Sequence, residues 1–168
     1  MKIVFLDIDG VLNTPSSKSR CGGYIGIDND KVERLKKIID KTKAEIVLIS
    51  TWKKHWYKEE RLKLSQDYIA DYLDAKLAKY NLKATDKTVE KFEGQYLSRG
   101  EGIIEYIYRK NVENYIILDD CQFDYDGCNL TDKFIKINQS EGLSEKQVNV
   151  ACEMLLHKSA ETETSGKR

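Results

Sequence analysis

The apolar positions of this chain fall into short runs that predict buried strands. A short run rich in β-branched and aromatic residues is typical of a strand covered on both faces, as in a parallel sheet. Four such runs lie at 3–6, 45–49, 115–118 and 134–137, and a weaker candidate strand lies at 82–86. The pattern therefore predicts a sheet of four or five strands.

Amphipathic stretches separate these strands and predict helices. Residues 30–33 and 144–147 each have the spacing of a capping box, and the first predicts a helix from residue 30 to about Lys41. Another amphipathic helix opens at Arg99, and the charged segment 52–80 predicts either one long helix or two short ones. Because strands and helices alternate, we expect an α/β fold with a mainly parallel sheet.

The composition indicates the class of protein and the cellular compartment. A chain of 168 residues can form one domain with a real core, and its 28 basic and 28 acidic side chains give no net charge that would indicate nucleic-acid binding. No apolar stretch approaches the roughly 18 residues of a membrane span, and Asp7 and Asp9 interrupt the first run too early for a signal peptide. The four cysteines show no metal-ligand spacing and are interpreted as reduced thiols. We predict one cytoplasmic domain at 1–157, with no membrane contact, and a disordered tail at 158–168.

Acidic residues follow two of the predicted strands. Asp7 and Asp9 end the first run, with Gly10 behind them, and Asp119 and Asp120 end the run at 115–118. Because the carboxyl ends of parallel strands meet at one edge of the sheet, we expect these acids to lie together. Four close carboxylates repel strongly without a divalent cation, and ligands that are all oxygen favour Mg²⁺ over zinc.

Hydroxyl residues end the second strand. The side chains and backbone N–H groups of Ser50 and Thr51 can reach a ligand phosphate there, although both residue types also favour helix N-caps. Further along, Asp124 and Asp126 are interpreted as part of a polar turn.

These features together resemble the haloacid dehalogenase (HAD) superfamily of phosphohydrolases. The sequence Asp7-Ile8-Asp9-Gly10-Val11-Leu12 resembles its first motif, Ser50 its second, and the pair Asp119-Asp120 its fourth. Arg99 lies at the start of a predicted helix, where the third motif of the family has a Lys or Arg. Thr51 is the alternative to Ser50, and the alternatives to Arg99 are Lys87 and Lys91. The segment from Asp119 to the closing helix also resembles the HAD domain of Swiss Army Knife RNA repair proteins.

The resemblance implies a Rossmann-like three-layer sandwich with a minimal cap and a role for each motif residue. Asp7 is expected to be the nucleophile and Asp9 the general acid and base, while Ser50 and Arg99 hold the phosphate. Mg²⁺ is expected at Asp7, Asp9, Asp119 and Asp120, with Asp120 the nearer of the last two. The implied activity is a Mg²⁺-dependent phosphatase with an aspartyl-phosphate intermediate; the alternatives are a phosphotransferase or mutase, and a non-catalytic binding module.

The substrate is expected to be a phosphorylated small molecule or a nucleic-acid end. The flap after the first motif, residues 14–23, is short and leaves the site open, although the segment 57–95 could form a lid. Trp52 and Trp56 are more typical of core residues than of a platform for stacked bases. A polyanionic substrate could contact the lysines that accompany them, Lys53, Lys54 and Lys58.

Overall fold

The computed structural model describes residues 1–58 and 67–157, and its centre is a five-stranded parallel sheet. The strands of this sheet are β1 (Lys2–Leu6), β4 (Glu45–Leu48), β5 (Ala84–Lys87), β8 (Asn114–Asp119) and β9 (Phe134–Lys136). Their spatial order is β5-β4-β1-β8-β9, with Leu6 in register with Leu48 on one side and Leu118 on the other. The central strand therefore carries the first acidic motif, and its two neighbours carry the second and fourth motifs.

Within residues 1–58 and 67–157, two short hairpins and four α-helices complete the fold. The hairpins are β2 (Arg20–Cys21) with β3 (Tyr24–Ile25), and β6 (Lys91–Phe92) with β7 (Gln95–Tyr96). The helices are α1 (Asn29–Thr42), α2 (Tyr68–Ala78), α3 (Arg99–Lys110) and α4 (Glu145–Leu156), and short 3-10 helices lie at Thr51–Lys54 and Thr131–Lys133.

Alternate residues of β1 enter two separate hydrophobic clusters. Val4 and Leu6 pack with α1, α2 and α4, whereas Ile3 and Phe5 pack with α3. Side chains of a strand point to opposite faces, so the sheet lies between two helical layers. This confirms the predicted Rossmann-like three-layer sandwich.

The predicted start of α1 was wrong. The helix begins at Asn29, and its N-cap residue is Asp28, which makes no capping bond to the helix. The Asp28 carboxylate instead accepts a hydrogen bond from the Ser17 hydroxyl, a contact between distant residues that no local pattern shows. The second predicted box is confirmed, because the Gln147 side chain accepts from the backbone N–H of Ser144 at 2.9 Å.

The segment 52–80 forms separate short helices in its described parts, the 3-10 helix at Thr51–Lys54 and α2. The predicted lid at 57–95 includes residues 59–66, which lie outside the described part of the chain, as does the predicted tail at 158–168. Leu73 and Leu77 of α2 are fully buried in the core. Within the described ranges, no helix is both long and apolar enough to cross a bilayer.

Candidate active site

A cleft of about 340 Å³ opens at the carboxyl edge of the sheet, above β1, β4 and β8. Five of the six predicted site residues line it; these are Asp7, Asp9, Ser50, Arg99 and Asp120. The sixth, Asp119, is fully buried beneath it. Strand ends that are far apart in sequence are therefore brought to one place, as the parallel sheet requires.

Asp7 lies at the base of this cleft and is only 5% exposed. Its backbone N–H donates to the carbonyl of Leu118 at 2.9 Å, which extends the pairing of β1 with β8 by one residue. Burial, with the nearby acids Asp119, Asp120 and Asp9, raises the pKa of Asp7 to about 7 although Arg99 opposes the change. Loss of solvent around this carboxyl group and the neighbouring acids thus both favour its protonated form.

Arg99 supplies the positive charge nearest to Asp7. Its Nη1 donates to Asp7 Oδ1 at 3.1 Å and to Asp119 Oδ2 at 2.7 Å. The ring of Phe123 covers the guanidinium, with 3.9 Å between Cζ and the ring centre. Burial works against the charged form, but the two carboxylates outweigh burial and raise the pKa of Arg99.

The other candidates for the third motif lie elsewhere. Lys87 Nζ donates to the carbonyls of Lys53 at 2.7 Å and Trp56 at 2.5 Å, and so it holds the end of the 3-10 helix. Lys91 lies on the β6-β7 hairpin, with Nζ 5.2 Å from the centre of the Tyr96 ring. Of the three candidates, only Arg99 contacts the acidic cluster.

Asp119 is held by three protein donors. Its Oδ2 accepts from Tyr125 Oη at 2.6 Å as well as from Arg99, and its Oδ1 accepts from the backbone N–H of Cys121 at 2.9 Å. Both carboxylate oxygens are therefore engaged within the protein. Asp119 thus orients Arg99, and it also forms a group with Asp120 and Cys121 whose possible ligand atoms lie within 4.8 Å of one another, so that it remains a candidate metal ligand.

Asp120 is the member of the pair that faces the cleft. Its carboxylate packs on Gly10, whose φ is +75°, and a Cβ atom at position 10 would lie 2.5 Å from Asp120 Oδ2. Only glycine allows this approach in this conformation. Asp7 and Asp120 both line the cleft, and their carboxylates are oxygen ligands of the kind that Mg²⁺ prefers.

Asp9 lies at the exposed rim and is held by two N–H donors. Trp52 Nε1 donates to its Oδ2 at 3.0 Å, and Asn13 Nδ2 donates to its Oδ1 at 2.9 Å. Asn13 in turn accepts from the backbone N–H of Gly10 at 2.9 Å. Neither Trp52 nor Asn13 was predicted to belong to the site, because both contacts depend on the folding of the loop after β1.

The tryptophans are core residues, as favoured from the sequence. Trp52 and Trp56 are 8% and 4% exposed, and Trp56 Nε1 donates to Asp74 at 2.9 Å. The burial of Trp56 and its bond to Asp74 argue against a role in stacking a base.

The lysines that follow Ser50 are engaged by protein groups. Lys53 is buried with Nζ on Thr88 Oγ1 at 2.9 Å, and burial lowers its pKa to about 8. Lys54 and Lys58 lie 3.9 and 3.7 Å from the carboxylates of Glu90 and Asp86.

Ser50 and Thr51 both line the cleft. Ser50 is 1% exposed, and its Oγ accepts from the backbone N–H of Trp52 at 3.4 Å, so that it also caps the 3-10 helix. Thr51 is exposed. Both remain candidates for the phosphate-binding hydroxyl.

Asp124 has a role that the sequence analysis missed. Its Oδ1 accepts from the backbone N–H of Gly100 at 2.9 Å, and its Oδ2 accepts from the Ser98 hydroxyl. These bonds fix the first turn of α3, where Arg99 is the first helical residue. The predicted start of this helix at Arg99 is confirmed, and the capping box formed by Ser98 and Glu101 marks the same start.

Comparison with protein families shows which family the chain resembles. A family model described as the HAD domain in Swiss Army Knife RNA repair proteins matches residues 3–148. No curated protein and no solved structure gives a significant match.

Proposed function

Because this chain belongs to the family of HAD domains in Swiss Army Knife RNA repair proteins, a family that implies phosphohydrolase-type activity, we propose that it is a Mg²⁺-dependent phosphatase acting on phosphomonoesters. The observation that supports this most is the position of Asp7. It is a buried carboxyl group at the end of the central strand, with Arg99 at 3.1 Å and Asp120 in the same cleft.

Asp7 is the nucleophile of the proposed reaction. A carboxylate oxygen forms a bond to phosphorus while the bond from phosphorus to the leaving oxygen breaks, which gives an aspartyl-phosphate. Asp9 donates a proton to the leaving oxygen and later takes one from the water that hydrolyses the intermediate. The bonds from Trp52 and Asn13 keep the Asp9 carboxyl at the rim, where it meets both the leaving group and solvent.

Arg99 binds the phosphoryl oxygens in this proposal. Within residues 1–58 and 67–157, all of its hydrogen bonds come from Nη1, so its other N–H groups remain able to bind phosphate. The hydroxyl of Ser50 or Thr51 and nearby backbone N–H groups provide further donors. Donors fixed before the reaction stabilise the charge that develops in the transition state.

Mg²⁺ would be held by Asp7, Asp120 and the Asp9 carbonyl, and it would offset the negative charge of the acids and of the phosphoryl group. In this proposal, Asp119 contributes by holding the Arg99 guanidinium in position. The exposed rim around Asp9 admits water, which favours hydrolysis over transfer to a second substrate in a closed site.

The test is the release of inorganic phosphate from p-nitrophenyl phosphate. We expect turnover with Mg²⁺ and none with EDTA. Asp7→Asn should abolish turnover, because an amide is a poor nucleophile of nearly the same shape. Asp126→Asn, on an exposed turn, is the matched control and should keep wild-type activity. If Asp7→Asn retained activity, the assignment of the nucleophile would be wrong.

A further inference from the structure

A second cleft adjoins the first and shares two of its residues. It has a volume of about 280 Å³, and Asp9 and Thr51 line both clefts. The other walls of the second cleft are Cys21, Tyr24, Trp52, Lys54, His55 and Ile69. Asp9 therefore lies at the boundary between a cleft that holds the nucleophile and a cleft that does not.

The position of Asp9 indicates which part of the substrate would occupy the second cleft. A general acid must lie within hydrogen-bond reach of the leaving oxygen. With Arg99 on the equatorial oxygens of the phosphoryl group, in-line attack by Asp7 places the leaving oxygen on the side away from Asp7, where the Asp9 carboxyl would meet it. The rest of the leaving group then continues past Asp9 into the second cleft.

The walls of this cleft suit a flat aromatic group. Tyr24 is 59% exposed, and among the described residues no other aromatic ring packs on it. Ile69 and the edge of Trp52 add apolar surface, while Lys54 and His55 offer polar groups for the edge of a ring. The volume is just below the roughly 300–1,000 Å³ of sites for drug-sized ligands, which suits a single base.

The hairpin that carries Tyr24 is anchored on both sides. The backbone N–H of Ile27 donates to Tyr72 Oη of α2 at 2.9 Å, and Asn13 Nδ2 contacts the carbonyl of Ile25 at 3.5 Å. Asn13 also holds Asp9, so one side chain ties the hairpin to the general acid. These contacts fix the backbone next to Tyr24 before a ligand binds, so that less conformational entropy is lost when a ligand stacks on its ring.

We propose that the second cleft is the leaving-group subsite, that it takes the base of a nucleotide substrate, and that Tyr24 selects this substrate by stacking on the base. This inference rests on the proposed phosphatase activity. In place of Trp56, which is buried, base stacking is assigned to Tyr24, an exposed aromatic residue of the β2-β3 hairpin. Stacking of one base on an aromatic side chain changes affinity roughly 5- to 150-fold.

The test compares substrates that differ only in the base. The kcat/KM values of adenosine 5′-monophosphate and adenosine 3′-monophosphate are each measured against the ribose phosphate that lacks the base. For the preferred isomer, we expect the wild type to favour the nucleotide by about tenfold or more. Tyr24→Ala should reduce this ratio to near one, mainly through the nucleotide KM, and Tyr24→Phe should preserve it.

Tyr96→Ala is the matched control, because Tyr96 is 83% exposed on the other hairpin. This variant should leave the ratio unchanged. If the wild type releases phosphate but shows no preference for the base, or if Tyr24→Ala slows both substrates equally, the subsite assignment is overturned while the phosphatase activity stands. If the wild type releases phosphate from no phosphomonoester, the proposed function itself fails.

Discussion

At the scale of single residues, Asp7 links catalysis to stability. In the folded chain, burial and the nearby acids raise the pKa of its carboxyl group to about 7, from 3.8 for an unperturbed aspartate. The native state therefore holds this proton more tightly than the unfolded state does. The resulting stabilisation is fully present below about pH 4 and is lost as the pH rises through 7, and its size is on the order of 4 kcal/mol.

Urea unfolding in EDTA across pH 4–8 tests this linkage. The side chain at position 7 of the Asp7→Asn variant does not titrate, so the variant should not lose this stabilisation. As the pH rises from 4 to 7, the free energy of unfolding of the variant should therefore increase relative to that of the wild type. Asp126→Asn, which alters an exposed acid, should keep the wild-type pH dependence. Parallel curves for the wild type and Asp7→Asn would show that Asp7 titrates normally in the fold.

At the scale of elements, the start of α3 controls the position of the phosphate-binding cation. Asp124→Ala removes the acceptor for the backbone N–H of Gly100 and for the Ser98 hydroxyl. Loss of a helix cap costs about 0.5–2 kcal/mol of stability. Because Arg99 begins this helix, we also expect inorganic phosphate to inhibit the variant less strongly.

The measurements are chemical denaturation and the inhibition constant for phosphate. Asp126→Ala, two residues further along the same loop, should change neither. An Asp124→Ala enzyme with a wild-type inhibition constant would mean that Arg99 keeps its position without this cap.

The buried strands could be predicted from the sequence, whereas the contacts that orient the site could not. The buried strands were predictable because burial on both faces leaves an unbroken apolar run, and their carboxyl ends located Asp7, Ser50 and Asp119. The contacts that orient the site were not predictable in this way. Asp124 reaches Gly100 over 24 residues, and Trp52 reaches Asp9 over 43, so neither bond has a local pattern.

At the scale of the whole molecule, we expect Mg²⁺ to stabilise the fold. The cation would bind acids that only the folded chain brings together, and a ligand at a hundredfold excess over Kd adds about 2.7 kcal/mol to the free energy of unfolding. Thermal unfolding with Mg²⁺ and with EDTA measures this gain. Asp120→Asn should reduce it, whereas Asp126→Asn should not. Equal melting temperatures at every Mg²⁺ concentration would contradict a metal site at these acids.

The central position of β1 has a consequence for synthesis on the ribosome. This strand precedes the other strands of the sheet in the chain, yet its partner β8 begins at Asn114. At about 5–20 residues per second, roughly 6–20 s pass between the synthesis of the two strands. During that interval an apolar strand has an open edge that can pair with other chains. Nascent chains that stop before β8 should therefore aggregate, and chaperones that cover exposed strands should bind them until the sheet closes.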